Sequence, residues 1–407
     1  MHRPRRVPAD LTGGDTGDVR LERDRLTWLT YLQLGCYGYF LYGFGPSLSL
    51  LRDEQGTSRA VAGLHGTALA VGSLLAALVA ARLVGRYGRT PVIWGGLVTM
   101  CAGIVLFTAT TALPATLAGA LVGAFGGSLV VMVSSTLLID RHGESGPSAV
   151  AEANALAAGV GTAAPLVVGA AVVVGLGWRP AVLLLLPVVA ALAVAGRGVG
   201  APRPTGHGAE RGGRLPRRYW ISWMVVTAGI AVEFCLVLWT ADVMREQVGL
   251  APGPAAASVT AVVGGMAVGR LVGGRLALRY PLDTLLYGAI VLTGIGFTVF
   301  WLTTSAWLAL PALLACGVGI ALFYPLGVAR AINASEGRPD HASARAGIGA
   351  ALAAGVGPFV LGALADEVGL HRALLVVPAL LVVATVGLRL GRLPATPTPS
   401  PTSPAAA

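Results

Sequence analysis

The feature that most constrains this chain is a succession of apolar runs, many of 18 residues or more, separated by short polar stretches. About 20 apolar residues is what an α-helix needs to cross the ~30 Å hydrocarbon core of a bilayer. Backbone groups in lipid have to satisfy one another, so such runs read as helices. Only 12% of the residues are charged, against about a quarter in a soluble domain, and mean hydropathy is +0.74. The fold class is therefore an all-α, multi-pass membrane protein, with little chain left for a soluble domain.

Apolar runs and their punctuation predict twelve transmembrane helices. The first six lie near 26–51, 60–84, 91–110, 113–139, 148–175 and 178–196. The second six lie near 219–241, 255–278, 282–303, 306–329, 343–365 and 372–390. Residues 26–196 thus form an N-terminal six-helix bundle and 219–390 a C-terminal one, joined by a linker at 197–218. Residues 1–25 are polar and arginine-rich, without the small-residue cleavage site of a signal peptide. Residues 391–407 end in the low-complexity PATPTPSPTSPAAA. Both tails are expected to be disordered.

The chain has no lysine, and its 29 basic residues are all arginine. Twenty-four fall in the tails and in loops on one side of the predicted topology. Arg52, Arg59, Arg179, Arg245 and Arg372 fall on the other. Arginine-rich loops stay in the cytoplasm, so both termini are expected there, in a plasma membrane. The net charge of +10 is accounted for by topology and does not call for nucleic acid. Cys36, Cys101, Cys235 and Cys316 all lie inside apolar segments and read as small buried hydrophobes, with no metal role.

The heptad ALAAGVG occurs at Ala155–Gly161 and again at Ala351–Gly357, 196 positions apart. Each copy runs on to a proline and a Gly-Ala step, at Pro165 and Gly169 in one and Pro358 and Gly362 in the other. The spacing to the proline differs by three residues. Gly161, Pro165 and Gly169 share one helical face. Small residues let membrane helices approach closely, and proline removes one backbone hydrogen bond. Gly161, Pro165, Gly169, Gly357, Pro358 and Gly362 are therefore candidates for close packing or a hinge.

In topology and motifs the chain resembles the major facilitator superfamily. The run A-R-L-V-G-R-Y-G-R-T at Ala81–Thr90 is similar to that family's signature after its second helix, matching at Leu83, Arg86, Gly88 and Arg89. Gly85 stands where the family has an aspartate. G-R-L-V-G-G-R-L at Gly269–Leu276, containing Arg270 and Arg275, resembles the second-half counterpart. G-W-R at Gly177–Arg179 and G-A-L-A-D at Gly362–Asp366 add to the likeness, as does a loose, displaced version of an antiporter motif around Pro165. The resemblance implies two parallel-repeat bundles, with the heptads in equivalent helices 5 and 11. It also implies a cytoplasmic gate involving Gly85, Arg86, Gly88, Arg89, Arg270 and Arg275, and a cavity lined by helices 1, 4, 7 and 10.

Ionisable groups inside membrane spans are costly and mark candidate sites. Glu233, in V-E-F-C-L-V-L-W, is the clearest, with no opposite charge one helical turn away. It is expected to carry a coupling proton or contact a cationic solute. Glu152 and Asn154 lie inside span 5, and Arg270 in span 8 is expected to pair with Glu152 across the bundle interface. His65 titrates in the physiological range. Tyr37, Tyr39, Tyr42 and Trp239 present aromatic faces to a solute. Asp140 and Arg330 end spans 4 and 10 and fit pairing or snorkelling at the interface.

No GxxxxGK[ST], HExxH or GxSxG is present, so nucleotide drive and the commoner hydrolases find no support. What remains is a non-enzymatic, cofactor-free secondary transporter that moves a small organic solute by alternating access. It is expected to couple to protons, to sit in the bilayer and to work as a monomer. Efflux is the first reading. Proton-coupled uptake of a small metabolite is the second, and a non-transporting receptor or scaffold is a third.

Overall fold

The computed structural model describes residues 21–200, 214–277 and 279–391, and every regular element among them is helical. The predicted disorder of the two tails falls largely on residues outside this range. Twelve helical spans are present, here α1 to α12. The first half comprises α1 Arg25–Gln55, α2 Arg59–Tyr87, α3 Arg89–Ala109, α4 Leu113–His142, α5 Gly146–Val173 and α6 Arg179–Ala195. The second comprises α7 Arg217–Glu246, α8 Pro252–Leu276, α9 Leu282–Leu302, α10 Ala306–Asn333, α11 Pro339–Val368 and α12 Leu370–Leu390.

Several helices run past their apolar stretch, α1 through Arg52–Gln55 and α4 through Asp140–His142. Hydropathy marks where hydrocarbon ends, whereas a helix ends at its cap. Gly56, Gly88 and Gly143 supply those caps at positive φ. Breaks have a local cause too. α6 is interrupted at Leu184, α10 at Ala321–Leu322 and α12 at Leu374–Leu375. Pro187, Pro325 and Pro378 follow each break, and a proline ring clashes with the carbonyl four residues earlier. Pro165 and Pro358, by contrast, lie inside continuous helices.

Ten of the spans are long and apolar enough to cross a bilayer; α1 and the shorter α6 fall outside that test. α1 carries Gln33, Ser47, Ser49 and several tyrosines, yet most of its residues are buried. It is wrapped by protein rather than lipid, and Ser47 donates to the Gly43 carbonyl of its own helix at 2.8 Å.

The two halves repeat with an offset of 193 residues. α2 and α8 begin at Arg59 and Pro252, α3 and α9 at Arg89 and Leu282, α5 and α11 at Gly146 and Pro339. In this register Pro165 falls on Pro358 and Gly169 on Gly362, while the two ALAAGVG copies are displaced by three residues. The proline and Gly-Ala steps, not the heptad, mark equivalent positions. The R-L-V-G likeness of Arg82–Gly85 to Arg270–Gly273 is likewise out of register; the counterpart of Arg82 is Arg275.

Packing follows the same symmetry. α5 lies against α1 of its own half and α8 of the other, and α11 against α7 and α2. A methyl group at Gly169 would stand 2.6 Å from the Gly253 carbonyl oxygen, and one at Gly362 2.6 Å from that of Arg59. Only glycine permits such backbone approach, which is how helices without a mutual hydrophobic drive associate in lipid. Thr67 donates to the Gly355 carbonyl at 3.2 Å and its counterpart Thr260 to the Thr162 carbonyl at 3.4 Å. These bonds cross between the halves at equivalent places.

Candidate functional site

The helix ends define two faces: a terminal end, where α1 begins and α12 finishes, and a far end. At the far end the halves are tied together. Arg52 pairs with the buried Asp242 at 2.8 Å, Arg245 with Asp53, and Arg59 with Glu246. Asp366 of α11 accepts from the Arg59 and Ala60 amides at 2.9 and 2.8 Å, capping α2 from across the seam. Beneath this latch, Gly66 packs on the Leu238 side chain and on Pro358, and Gly63 on Phe359.

At the terminal end the described ion pairs stay within one half. Arg23 holds Glu152 at 2.6 Å, Arg141 holds Asp24, Arg89 holds Asp140, and Arg330 holds Asp283 at 2.7 Å. Asp24 also accepts from the Thr27 amide at 2.9 Å and hydroxyl at 2.7 Å. Burial alone would raise its carboxyl; the Thr27 and Arg141 contacts outweigh that and bring it down to about 2.

Between the two ends lies a polar cluster inside the bundle. Glu233 of α7 is 7% exposed. Arg270 of α8 donates to the Tyr42 hydroxyl of α1 at 3.3 Å, a contact between halves. The charges of Glu233 and Arg270 act on each other, although no ion pair joins them among the described residues. Tyr37 of α1 packs on Gly127 of α4, and Tyr324 of α10 is 44% exposed. Glu233 is nine residues from Asp242, about 14 Å along α7 at 1.5 Å per residue. The cluster therefore sits below the closed far end.

The remaining sequence candidates divide. Tyr39 donates to the Ala181 carbonyl at 2.8 Å and ties α1 to α6. Trp239 is buried, donating to the Pro358 carbonyl at 3.1 Å, so it packs α7 on α11 rather than rimming a cavity. His65 is buried between α2 and α4. Its Nδ1 faces the Ala62 carbonyl at 3.1 Å and must donate, leaving Nε2 to accept from the Thr116 hydroxyl at 2.9 Å. Asn154 is exposed and bonds the Val150 carbonyl of its own helix at 2.8 Å.

The expected Glu152–Arg270 pair is not formed. Arg23 and Tyr31 hold Glu152 at the terminal end, whereas Arg270 turns inward to Tyr42. Arg330 neither snorkels nor faces a solute. It is fully buried, donating to Asp283, to Ser222 at 2.7 Å and to the Gly391 carbonyl at 2.5 Å. Gly85 lies in open space, Arg86 stacks over Tyr87 at 5.3 Å, Gly88 caps α2, and Arg275 is exposed. Gly161 packs on Tyr42 and Gly38, and Gly357 lies 3.2 Å from Ala231 by the same measure as above.

The far-end charges were missed by reasoning on single spans. A signal was present: Arg52-Asp53 and Arg245-Glu246 are acid–base dyads 193 residues apart, both on the arginine-poor side.

Comparison with known proteins bears on the whole chain. The sequence matches the model of the Major Facilitator Superfamily over residues 30–241 and again over 221–407. No curated protein matches it significantly by sequence. Among solved structures it is similar to a bacterial homologue of the human lysosomal transporter Spinster, in an inward-facing, occupied conformation. That likeness has a TM-score of 0.72 at 16% identity and covers 90% of this chain and 96% of the other. It is also similar to the nucleoside transporter NupG, with a TM-score of 0.73 at 12% identity over 90% and 98%. The transporter FucP in its outward conformation scores 0.59 at 16% identity over 91% and 100%. At these identities the likeness is one of fold.

Proposed function

This chain belongs to the major facilitator superfamily, and on that premise we propose that it is a proton-coupled secondary transporter expelling a small organic solute by alternating access. The observation that carries the reading is Glu233, a carboxylate 7% exposed inside the bundle with no ion pair among the described residues, in the interior where Arg270 donates to Tyr42 of the other half. An ionised carboxylate in a low-dielectric interior needs compensation. Arg270 supplies part of it; a proton or a cationic group on the solute supplies the rest. If both compete for one carboxylate, binding of either displaces the other, and that competition is exchange. The tyrosine faces suit an apolar or aromatic cation.

The far-end latch and the charge pairs confined within each half at the terminal end fit a state open toward the terminal end. With arginine-rich loops on that side, the reading places both termini in the cytoplasm and the solute site facing inward. The protein acts as a monomer in the plasma membrane. Arg270 favours a second reading, symport of an anionic metabolite, in which the guanidinium receives the solute and Glu233 the proton.

Purified protein in proteoliposomes with an imposed pH gradient tests both. Under the first reading, a lipophilic aromatic cation moves against its gradient, and Glu233→Gln lowers gradient-driven transport by at least about tenfold. Movement of organic anions down the proton gradient, with no cation exchange, would favour the second reading. Gradient-driven transport intact in Glu233→Gln removes this carboxylate from both.

A further inference from the structure

The 193-residue register exposes a duplication away from the Glu233 site. Arg82-Leu83-x-x-Arg86-Tyr87 closes α2, and in the same sequence register Arg275-Leu276 closes α8, with Arg279 and Tyr280 in the turn that follows, where both amides donate to the Leu276 carbonyl. All four arginines are exposed, and Tyr87 and Tyr280 are 53% and 52% exposed. Further into each helix the stripe continues as Leu75 and Leu78 in α2, and as Val268 and Leu271 in α8, all exposed. Positions 75, 78, 82 and 86 recur at three- and four-residue steps and so lie on one helical face.

Among the described residues these arginines have no acidic partner. Arg86 has its stacking on Tyr87, but among the described residues none of the four makes an ion pair or a side-chain hydrogen bond. Two carboxylates of the terminal end are held by other arginines, Asp140 by Arg89 and Asp283 by Arg330. Gly85, between Arg82 and Arg86, contributes none. Cations at a helix C-terminus suit its dipole, yet that accounts for charge alone. It does not account for the same Arg–Arg–Tyr trio standing twice above the same apolar stripe.

We infer that the terminal ends of α2 and α8 are two equivalent binding sites for anionic phospholipid, each a pair of arginines for the headgroup phosphate with an apolar stripe for the acyl chain. Arg82 and Arg86 stand one helical turn apart, and Arg275 and Arg279 are separated by the same four positions in sequence, so that each pair can reach one phosphate with several charge-assisted hydrogen bonds. Tyrosine is at home at headgroup level, where its ring is apolar and its hydroxyl wet. The continuous stripe into the membrane is what selects a lipid over free phosphate.

The test is native mass spectrometry of the full chain released from nanodiscs of phosphatidylcholine containing one-fifth phosphatidylglycerol. Each surface arginine is worth roughly fivefold in anionic-lipid occupancy, so a pair gives about 25-fold. The wild type should retain two phosphatidylglycerol molecules, R82Q/R86Q and R275Q/R279Q one each, and the quadruple variant none. R217Q/R218Q removes the same charge from exposed arginines outside the repeat and should retain both.

Wild-type protein without phosphatidylglycerol selectivity overturns the inference, and this outcome does not depend on any variant folding. So does a quadruple variant that keeps its lipids, or a loss of the same size in R217Q/R218Q. Millimolar inorganic phosphate should leave retention unchanged; displacement of the lipid by it would show a free-phosphate site instead.

Discussion

Arg245 at the end of α7 pairs with Asp53 at the end of α1, so one of the two duplicated acid–base dyads closes on the other across the seam. The second arginine, Arg52, reaches instead to Asp242, which is 2% exposed. The two pairs share a location but differ in energetic weight. An exposed pair is worth about 0.2–1 kcal/mol. Removing the partner of a buried carboxylate costs about 3 kcal/mol or more.

Arg52→Ala should therefore open the far end far more than Asp53→Ala. Spin labels at Thr111 and Ser305, with the four native cysteines replaced, report the distance across it by pulsed electron resonance. Asp53→Ala should shift the closed-to-open ratio up to about fivefold, and Arg52→Ala roughly a hundredfold. A latch without function would leave both distributions as in the wild type.

Gly169 and Gly85 are predicted to respond oppositely to alanine. At Gly169 the added methyl meets the Gly253 backbone of the other half, which cannot yield as a side chain would. Gly169→Ala should separate α5 from α8 and widen the same label distance. At Gly85 nothing lies within reach, and replacing a helical glycine stabilises by up to about 1 kcal/mol. Gly85→Ala should then raise the thermal midpoint with the distance unchanged.

Asp24 gives a pH-dependent prediction. Its folded carboxyl, at about 2, lies below an unfolded value of about 3.9. Its contribution is thus complete above pH ~4 and lost as pH falls through about 2. Asp24→Ala should cost about 1 kcal/mol at pH 7, the usual weight of a helix N-cap. The gap between variant and wild-type unfolding in detergent should narrow steadily below pH 4. A gap independent of pH would mean that the charge on Asp24 contributes nothing.

Much of the fold was legible before any coordinates. Hydrophobic run length locates spans because lipid penalises every unpaired backbone group, a rule needing no knowledge of neighbours. Glu233 stood out for the same reason: one carboxylate in an apolar run is costly wherever it points. The same local logic went astray where partners mattered. Arg330 pairs at the end of its span as expected, with Asp283, but is enclosed by Ser222 and Gly391, while Arg270, inside span 8, reaches Tyr42 and not Glu152. Glu152 was matched to Arg270 when Arg23, just ahead of α1, holds it.

By itself the sequence determined that this chain is a bundle of membrane-crossing helices, with its arginines gathered at one end and one carboxylate stranded in the middle. Each of these follows from the transfer of single residues or short runs between water and lipid, so each is local. Only the tertiary structure decided which charges meet, which end is closed, and that the true repeat runs through Pro165 and Pro358. Pairing depends on the rotation and approach of helices nearly two hundred residues apart, and small-residue contacts such as Gly169 on Gly253 set that approach.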